Sequence, residues 1–435
     1  MSSASVEKRG GLARSGSPPG TGRPVPAGVR LDSLTGLRWI ATFGVFLSHV
    51  NILLPLPHTR GLFSLGESGV SLFFVLSGFV LAWTWTGADS ARSFYGRRFA
   101  RVWPLLAVAA LLPTLFALPN KDSGSPVHLL VVALSAILLV QAWVPDWILT
   151  GATPVTWSLS CEAFFYALLP GVARRMTGWS TRRLVLLVAG SVAVLWAVRI
   201  GLWVAYPPVF RVSSLDGYGP AVFGVYAPVA RFPQFLIGVA AAIAVRRGWR
   251  AVRVEVALAA LLVPLVTLWL LRGEAFRAQV LFDAVDPALT PFFALLIAAL
   301  ARRDLDGGPS LLRSRPMVRL GQWSYAFYLF QFTVVLPVAL AASPGRKVAD
   351  FFTDPVPART GHLGHAVLAL AVTLAVSAFF YRFVEHPLEL RLRRRFRAGK
   401  SSGKEPGQSA GESAGESPGQ RPRQRPEKSP GEKLR

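Results

Sequence analysis

The chain reads as an all-α polytopic membrane protein, with about ten transmembrane helices and one further helix that is re-entrant or half-inserted. Three observations predict this. Of 435 residues, 52% are hydrophobic and only 16% are charged, and the mean hydropathy is +0.43; this is too apolar for a soluble chain of this size. Apolar runs recur at lengths suited to crossing a bilayer. Arginines gather in alternate loops, as they do where loops are retained on the cytoplasmic side.

The runs fall at 33–54, 69–86, 103–118, 127–143, 159–173, 183–205, 229–245, 252–271, 285–301, 322–342 and 364–384. The first is long, lacks a small-residue cleavage site and is followed by further runs, so it is no removed signal peptide. Loops around Arg92–Arg101, Arg174–Arg183, Arg246–Arg253 and Arg302–Arg319 read as cytoplasmic, and the Pro/Tyr-rich segment 206–228 as external. Between the first two of these loops, three runs join points on the same side, so one of the three does not cross. The shortest, 159–173, begins at Trp157-Ser158-Leu159-Ser160-Cys161-Glu162 and ends at Pro170-Gly171. It is the expected half-inserted helix, tolerated at depth where protein or a wet cavity surrounds it. Ten spans then leave both termini in the cytoplasm of a plasma-membrane protein.

Residues 1–30, rich in Gly, Pro and Ser, form an expected disordered basic tail with five Lys/Arg against one Glu. Residues 391–435 form a second basic, low-complexity tail, with thirteen Lys/Arg against five Glu. Between them, 31–390 is a single membrane domain. The formal net charge of +24 lies largely in these tails and in the short arginine loops, beside an anionic leaflet. No nucleic-acid partner is expected, because neither tail offers a folded basic face with aromatic readers. Cys161 is the single cysteine, which excludes an internal disulfide and a cysteine-based metal cluster; no metal is expected.

Against this apolar background, five short blocks carry the candidate chemistry. Arg38 and His49 are eleven residues apart, about 20° past three full turns and about 16 Å along one helix face. Ionisable groups inside a span face a protein interior or a wet cavity, so the two mark a polar path. In the block Gly69 to Phe79, Ser77-Gly78 permits close helix packing. Arg97, Arg98 and Arg101 have helical spacing that suits phosphate clamping, and equally suits a membrane anchor. Glu162 is a carboxylate partner for the imidazole of His49. Tyr325, in the block Leu320 to Leu329, can donate to a reacting oxygen, whereas Tyr328 and Tyr381 suit an interfacial belt.

The order and wording of these blocks resemble the acyltransferase 3 family of integral membrane O-acyltransferases, over roughly residues 32–390. The family's basic residue and histidine, ten residues intervening, match Arg38 and His49. Its RxxR element matches Arg98 and Arg101, its FFVLSGF stretch Phe73 to Phe79, and its WSLSVE stretch Trp157 to Glu162. Three positions depart from the pattern: Ala163 where a second acidic residue is common, Gln331 where a histidine is common, and His386 within the closing Glu385-His386-Pro387-Leu388.

The resemblance implies transfer of an acyl group, commonly acetyl, from acyl-CoA to a hydroxyl of a carbohydrate or of another envelope or secreted small molecule, with no bound cofactor. In the expected scheme, Arg38, Arg97, Arg98 and Arg101 receive the donor. His49 acts as general base or is itself acylated, Glu162 orients its imidazole, and Tyr325 or Arg38 steadies the oxyanion. A transporter without chemistry is the rival reading, and predicts related halves and broken helices. A polyprenyl-dependent glycosyltransferase would need paired acids, for which Asp283 with Asp286, or Asp304 with Asp306, are the available residues.

Overall fold

The computed structural model describes residues 29–87, 90–117, 125–149, 153–205, 219–270, 275–354 and 356–398. Most of the two predicted tails and 206–218 of the predicted external segment lie outside the described residues, as does the side chain of Asp283. Among the described residues the architecture is helical, without strand. The α-helices are α1 Asp32–Leu53, α2 Arg60–Phe63, α3 Gly69–Thr84, α4 Ala91–Ala117, α5 Pro126–Ile137, α6 Trp157–Thr177, α7 Thr181–Ala205, α8 Gly219–Tyr226, α9 Pro228–Arg246, α10 Val254–Leu270, α11 Ala275–Leu305, α12 Arg315–Ala342, α13 Asp350–Thr353, α14 His362–Phe380 and α15 His386–Ala398.

Among the described residues, eight helical stretches are long and apolar enough to cross a membrane: Asp32–Leu53, Gly61–Thr84, Ala91–Phe116, Thr181–Ala205, Val222–Arg246, Val285–Leu305, Arg315–Ala342 and His362–Leu392. Pro126–Ile137 and Val254–Leu270 are shorter apolar helices. The run expected to be half-inserted lies within α6, which is not among these eight stretches. α6 has 21 residues, about 32 Å at 1.5 Å per residue, and Glu162, Arg174 and Arg175 set its composition apart from the apolar spans. α5 has only 12 residues, about 18 Å, and is followed by single 3₁₀ turns at Gln141–Trp143, Pro145–Trp147 and Pro154–Thr156.

Close crossings at glycine set how the bundle packs. α3 and α9 meet where Gly78 faces Gly238: a Cβ on Gly78 would lie 2.1 Å from the Phe235 carbonyl oxygen, and one on Gly238 1.9 Å from that of Val75. No side chain fits at either position, so the expected close approach at Ser77-Gly78 is present and reciprocal. α1 and α12 touch in the same way, a Cβ on Gly321 falling 1.9 Å from the Thr35 carbonyl oxygen. These two helices run parallel. Thr35 lies by Gly321, Trp39 and Phe46 flank Phe327, and His49 meets Phe332 edge-on at 5.3 Å. The start of α1 is held as well: the Ser33 amide and hydroxyl donate to the Asp304 carboxylate, at 2.8 and 2.6 Å.

Candidate active site

Four of the seven sequence-predicted site residues converge on one narrow cavity of about 60 Å³. α1 contributes Arg38, α4 Arg101, α6 Ser158 and Glu162, and α12 Ser324, Tyr325 and Tyr328. The convergence follows from helical period. Ser158, Glu162 and Tyr166 recur every four residues on one face of α6, and Ser324 and Tyr328 do so on α12. Phe73 and Phe74 of α3 close the apolar side.

The polar groups of the cavity are tied down from outside it. Arg101 Nη1 lies 2.8 Å from Glu385 Oε1 and 3.0 Å from Glu389 Oε2, and its guanidinium stands over the Tyr325 ring, 5.9 Å from the centroid. Glu162 accepts a hydrogen bond from the Tyr166 hydroxyl. The Tyr328 hydroxyl lies 2.9 Å from Ser158 Oγ and donates to the Val155 carbonyl at 3.1 Å. Arg38 is half-buried and feels the charges of Arg101, Glu162 and Glu385. The cavity is thus lined by two cations, Arg38 and Arg101, and one carboxylate, Glu162.

Three expectations meet a different geometry. Glu162 is not brought to His49: its hydrogen bond comes from Tyr166, and His49 Nδ1 has no hydrogen-bond partner. The helical rise explains the separation, since His49 lies about 16 Å further along α1 than Arg38, whereas Glu162 lines the cavity at the level of Arg38. The Tyr325 hydroxyl donates to the Val102 carbonyl at 2.7 Å, so its proton is already engaged. Arg97 and Arg98 do not line this cavity. Arg97 donates to Ser93 Oγ at 2.6 Å. Arg98 stands over Phe94 and lines a neighbouring cavity of about 180 Å³ that shares Val102, Leu159 and Tyr166 as walls.

The structure adds groups that the sequence reading passed over. Tyr166 is signalled only by its i+4 spacing from Glu162, and Glu389 by the same spacing from Glu385. A second buried polar cluster centres on Asp286, which receives Arg199 Nη2 at 2.8 Å, Arg231 Nη1 at 2.5 Å and Ser71 Oγ at 2.6 Å. Gln234 donates to Ser71 Oγ at 2.9 Å, and Arg231 stands over Trp157 and Tyr226. Arginines at 199 and 231 within apolar runs were the available signal. Asp286 is thus the centre of an ion-pair network.

A family model described as an acyltransferase domain matches residues 31–382. The chain belongs to the acyltransferase 3 family. It is similar to the acyltransferase MdmB of Streptomyces mycarofaciens, with 36% identity over 329 residues that cover 71% of this chain and 80% of the relative. It is also similar to nodulation protein 10 of Rhizobium leguminosarum bv. viciae, with 26% identity over 281 residues, 61% of this chain and 71% of the relative. No solved structure matches. The protein is thus an acyltransferase.

Proposed function

We propose that the protein is a plasma-membrane O-acyltransferase that moves an acyl group, acetyl in the first instance, from acyl-CoA to a hydroxyl of a carbohydrate or another envelope or secreted small molecule. The observation that carries this is the single stripe of α1. Arg38 opens onto a narrow polar cavity at the arginine-rich end of the bundle, and His49 lies three turns further along the same helix.

Arg97, Arg98 and Arg101 attract the phosphates of the donor at that end by charge-assisted hydrogen bonds. In this reading the pantetheine arm carries the thioester past Arg38 toward His49, while the nucleotide stays at the arginine-rich end. His49 takes the proton of the acceptor hydroxyl. The hydroxyl oxygen attacks the thioester carbonyl carbon, the C–O bond forms, the C–S bond breaks, and the proton passes to the departing thiolate. Arg38, about 16 Å back along α1, lies on the donor's way to that step rather than at the reacting carbonyl.

The reading keeps ten crossings with both termini cytoplasmic, which takes α10 and one further helix beyond the eight long apolar stretches. In that arrangement α6 spans the membrane and α5, about 18 Å long, is the element that stops part-way, in place of 159–173. The positive-inside pattern keeps the same parity either way.

The test compares cells expressing the native chain with cells expressing His49→Ala at equal membrane abundance. Envelope glycans and secreted metabolites are profiled by mass spectrometry for an ester-linked acyl increment. An increment made only by the native chain supports the proposal, and an equal increment with His49→Ala overturns the role of His49.

A further inference from the structure

Gln331 on α12 is fully buried, and neither its amide oxygen nor its amide nitrogen has a hydrogen-bond partner. Interchanging the two atoms changes nothing, because both are unpaired. A buried amide without partners costs free energy that an apolar side chain of the same size does not, and such groups are rare in folded proteins. Both amide atoms are therefore free to pair with a bound molecule.

Its position says what that is. Ser324 and Tyr328 line the cavity, and Gln331 continues their face of α12 one turn further, about 4.5 Å beyond Tyr328. It also lies one turn beyond Phe327, which packs between Trp39 and Phe46 of α1. The next residue, Phe332, is the one that meets His49 edge-on. Because α1 and α12 run parallel, Gln331 stands between the level of the cavity and the level of His49. His49 Nδ1 is likewise without a partner.

We propose that Gln331 is an acceptor-binding residue whose amide holds the hydroxyls next to the one being acylated, which fits a polyhydroxylated, sugar-like acceptor. This rests on the acyl-transfer reading above. A primary amide accepts from one hydroxyl through its oxygen and donates to another through its nitrogen. A neighbouring hydroxyl held in this way leaves the reacting one free to face His49. A site built to pair with substrate hydroxyls discriminates strongly against molecules that lack them, because its own buried groups then stay unpaired.

The test uses the full chain with Gln331→Leu, and Gln331→Met in parallel so that a packing failure of one variant does not decide the result. Three readouts are taken at equal membrane abundance: the ester-linked acyl increment in cells, binding of CoA itself to the purified protein by calorimetry, and Tm in one detergent. The expected result is an increment reduced by about tenfold or more, unchanged CoA affinity, and a Tm that is unchanged or raised by a few degrees as the unpaired amide is removed. Transfer retained within about twofold overturns the proposal, as does a matching loss of CoA affinity. A Tm lowered by several degrees in both variants does so too, since the amide is then holding the fold. If native cells add no acyl group at all, the acyl-transfer reading itself falls, and the subsite falls with it.

Discussion

Arg101 and Glu385 form an ion pair across two helical segments, with Arg101 Nη1 2.8 Å from Glu385 Oε1 and the Glu385 side chain 1% exposed. Glu389, one turn on, reaches the same guanidinium. Arg101 thus links α4, which carries the arginine-rich block, to the π-turn Tyr381–Glu385 and to α15. Its guanidinium is held at the cavity by two carboxylates, so it arrives there oriented.

Replacing one partner of a buried pair leaves the other without a countercharge. Arg101→Ala is expected to destabilise the protein by about 3–5 kcal/mol, read as a lowered Tm and a smaller folded fraction by size-exclusion chromatography. Glu385→Gln leaves Glu389 in place and is expected to lower Tm by less. Equal Tm for native protein and Arg101→Ala would show that the pair has no structural weight.

At the α3–α9 crossing, Gly238→Ala would put a methyl group 1.9 Å from the Val75 carbonyl oxygen. Backbone cannot yield as a flexible side chain can, so the helices must separate, at a cost of about 1–3 kcal/mol. Gly171→Ala, with open space around its Cβ position, is the matched control and is expected to leave Tm unchanged or slightly raised.

His49 and Tyr325 separate chemistry from scaffolding. His49 Nδ1 has no hydrogen-bond partner, so His49→Ala is expected to keep the native Tm within a few degrees while losing on the order of 10²–10⁴ in transfer rate. Tyr325→Phe removes a hydrogen bond to the Val102 carbonyl worth about 1 kcal/mol. Its loss in transfer rate is expected to stay below about tenfold. A direct oxyanion donor would instead cost about 10²–10³, and single-turnover rates with membranes tell the two apart.

Asp286 is the carboxylate shared by Arg199 and Arg231. Asp286→Ala leaves two largely buried arginines without it, and a loss of about 3–5 kcal/mol follows. Because Arg231 also stands over Trp157 at the start of α6, disorder is expected to reach the helix that carries Ser158 and Glu162. Limited proteolysis of Asp286→Ala should then cut near residue 157, whereas the native chain resists.

Much of the site was legible in the sequence because polar residues inside apolar runs are costly and therefore conspicuous. Arg38, Arg101, Glu162 and Tyr325 stood out on that ground, and they do converge on one cavity. Their partners were harder to see. Glu385 and Glu389 lie 284 and 288 residues from Arg101 in sequence, and Tyr166 looks like an ordinary aromatic of an apolar helix until its hydroxyl is found on Glu162. Glu162 and His49, partners by chemistry, sit at different depths, which no local pattern records.

The sequence by itself determined that the chain is a helical membrane protein, where most of its helices run, and that Arg38 and His49 share a face, because hydropathy and the 3.6-residue period are local properties of the chain. Only the tertiary structure decided which helices touch. The glycine crossings at Gly78–Gly238 and Thr35–Gly321 fix how α3 meets α9 and how α1 meets α12, and the second sets Gln331 one residue before the contact of Phe332 with His49. Register between distant helices depends on backbone contact at a few points, and those contacts exist only once the bundle has closed.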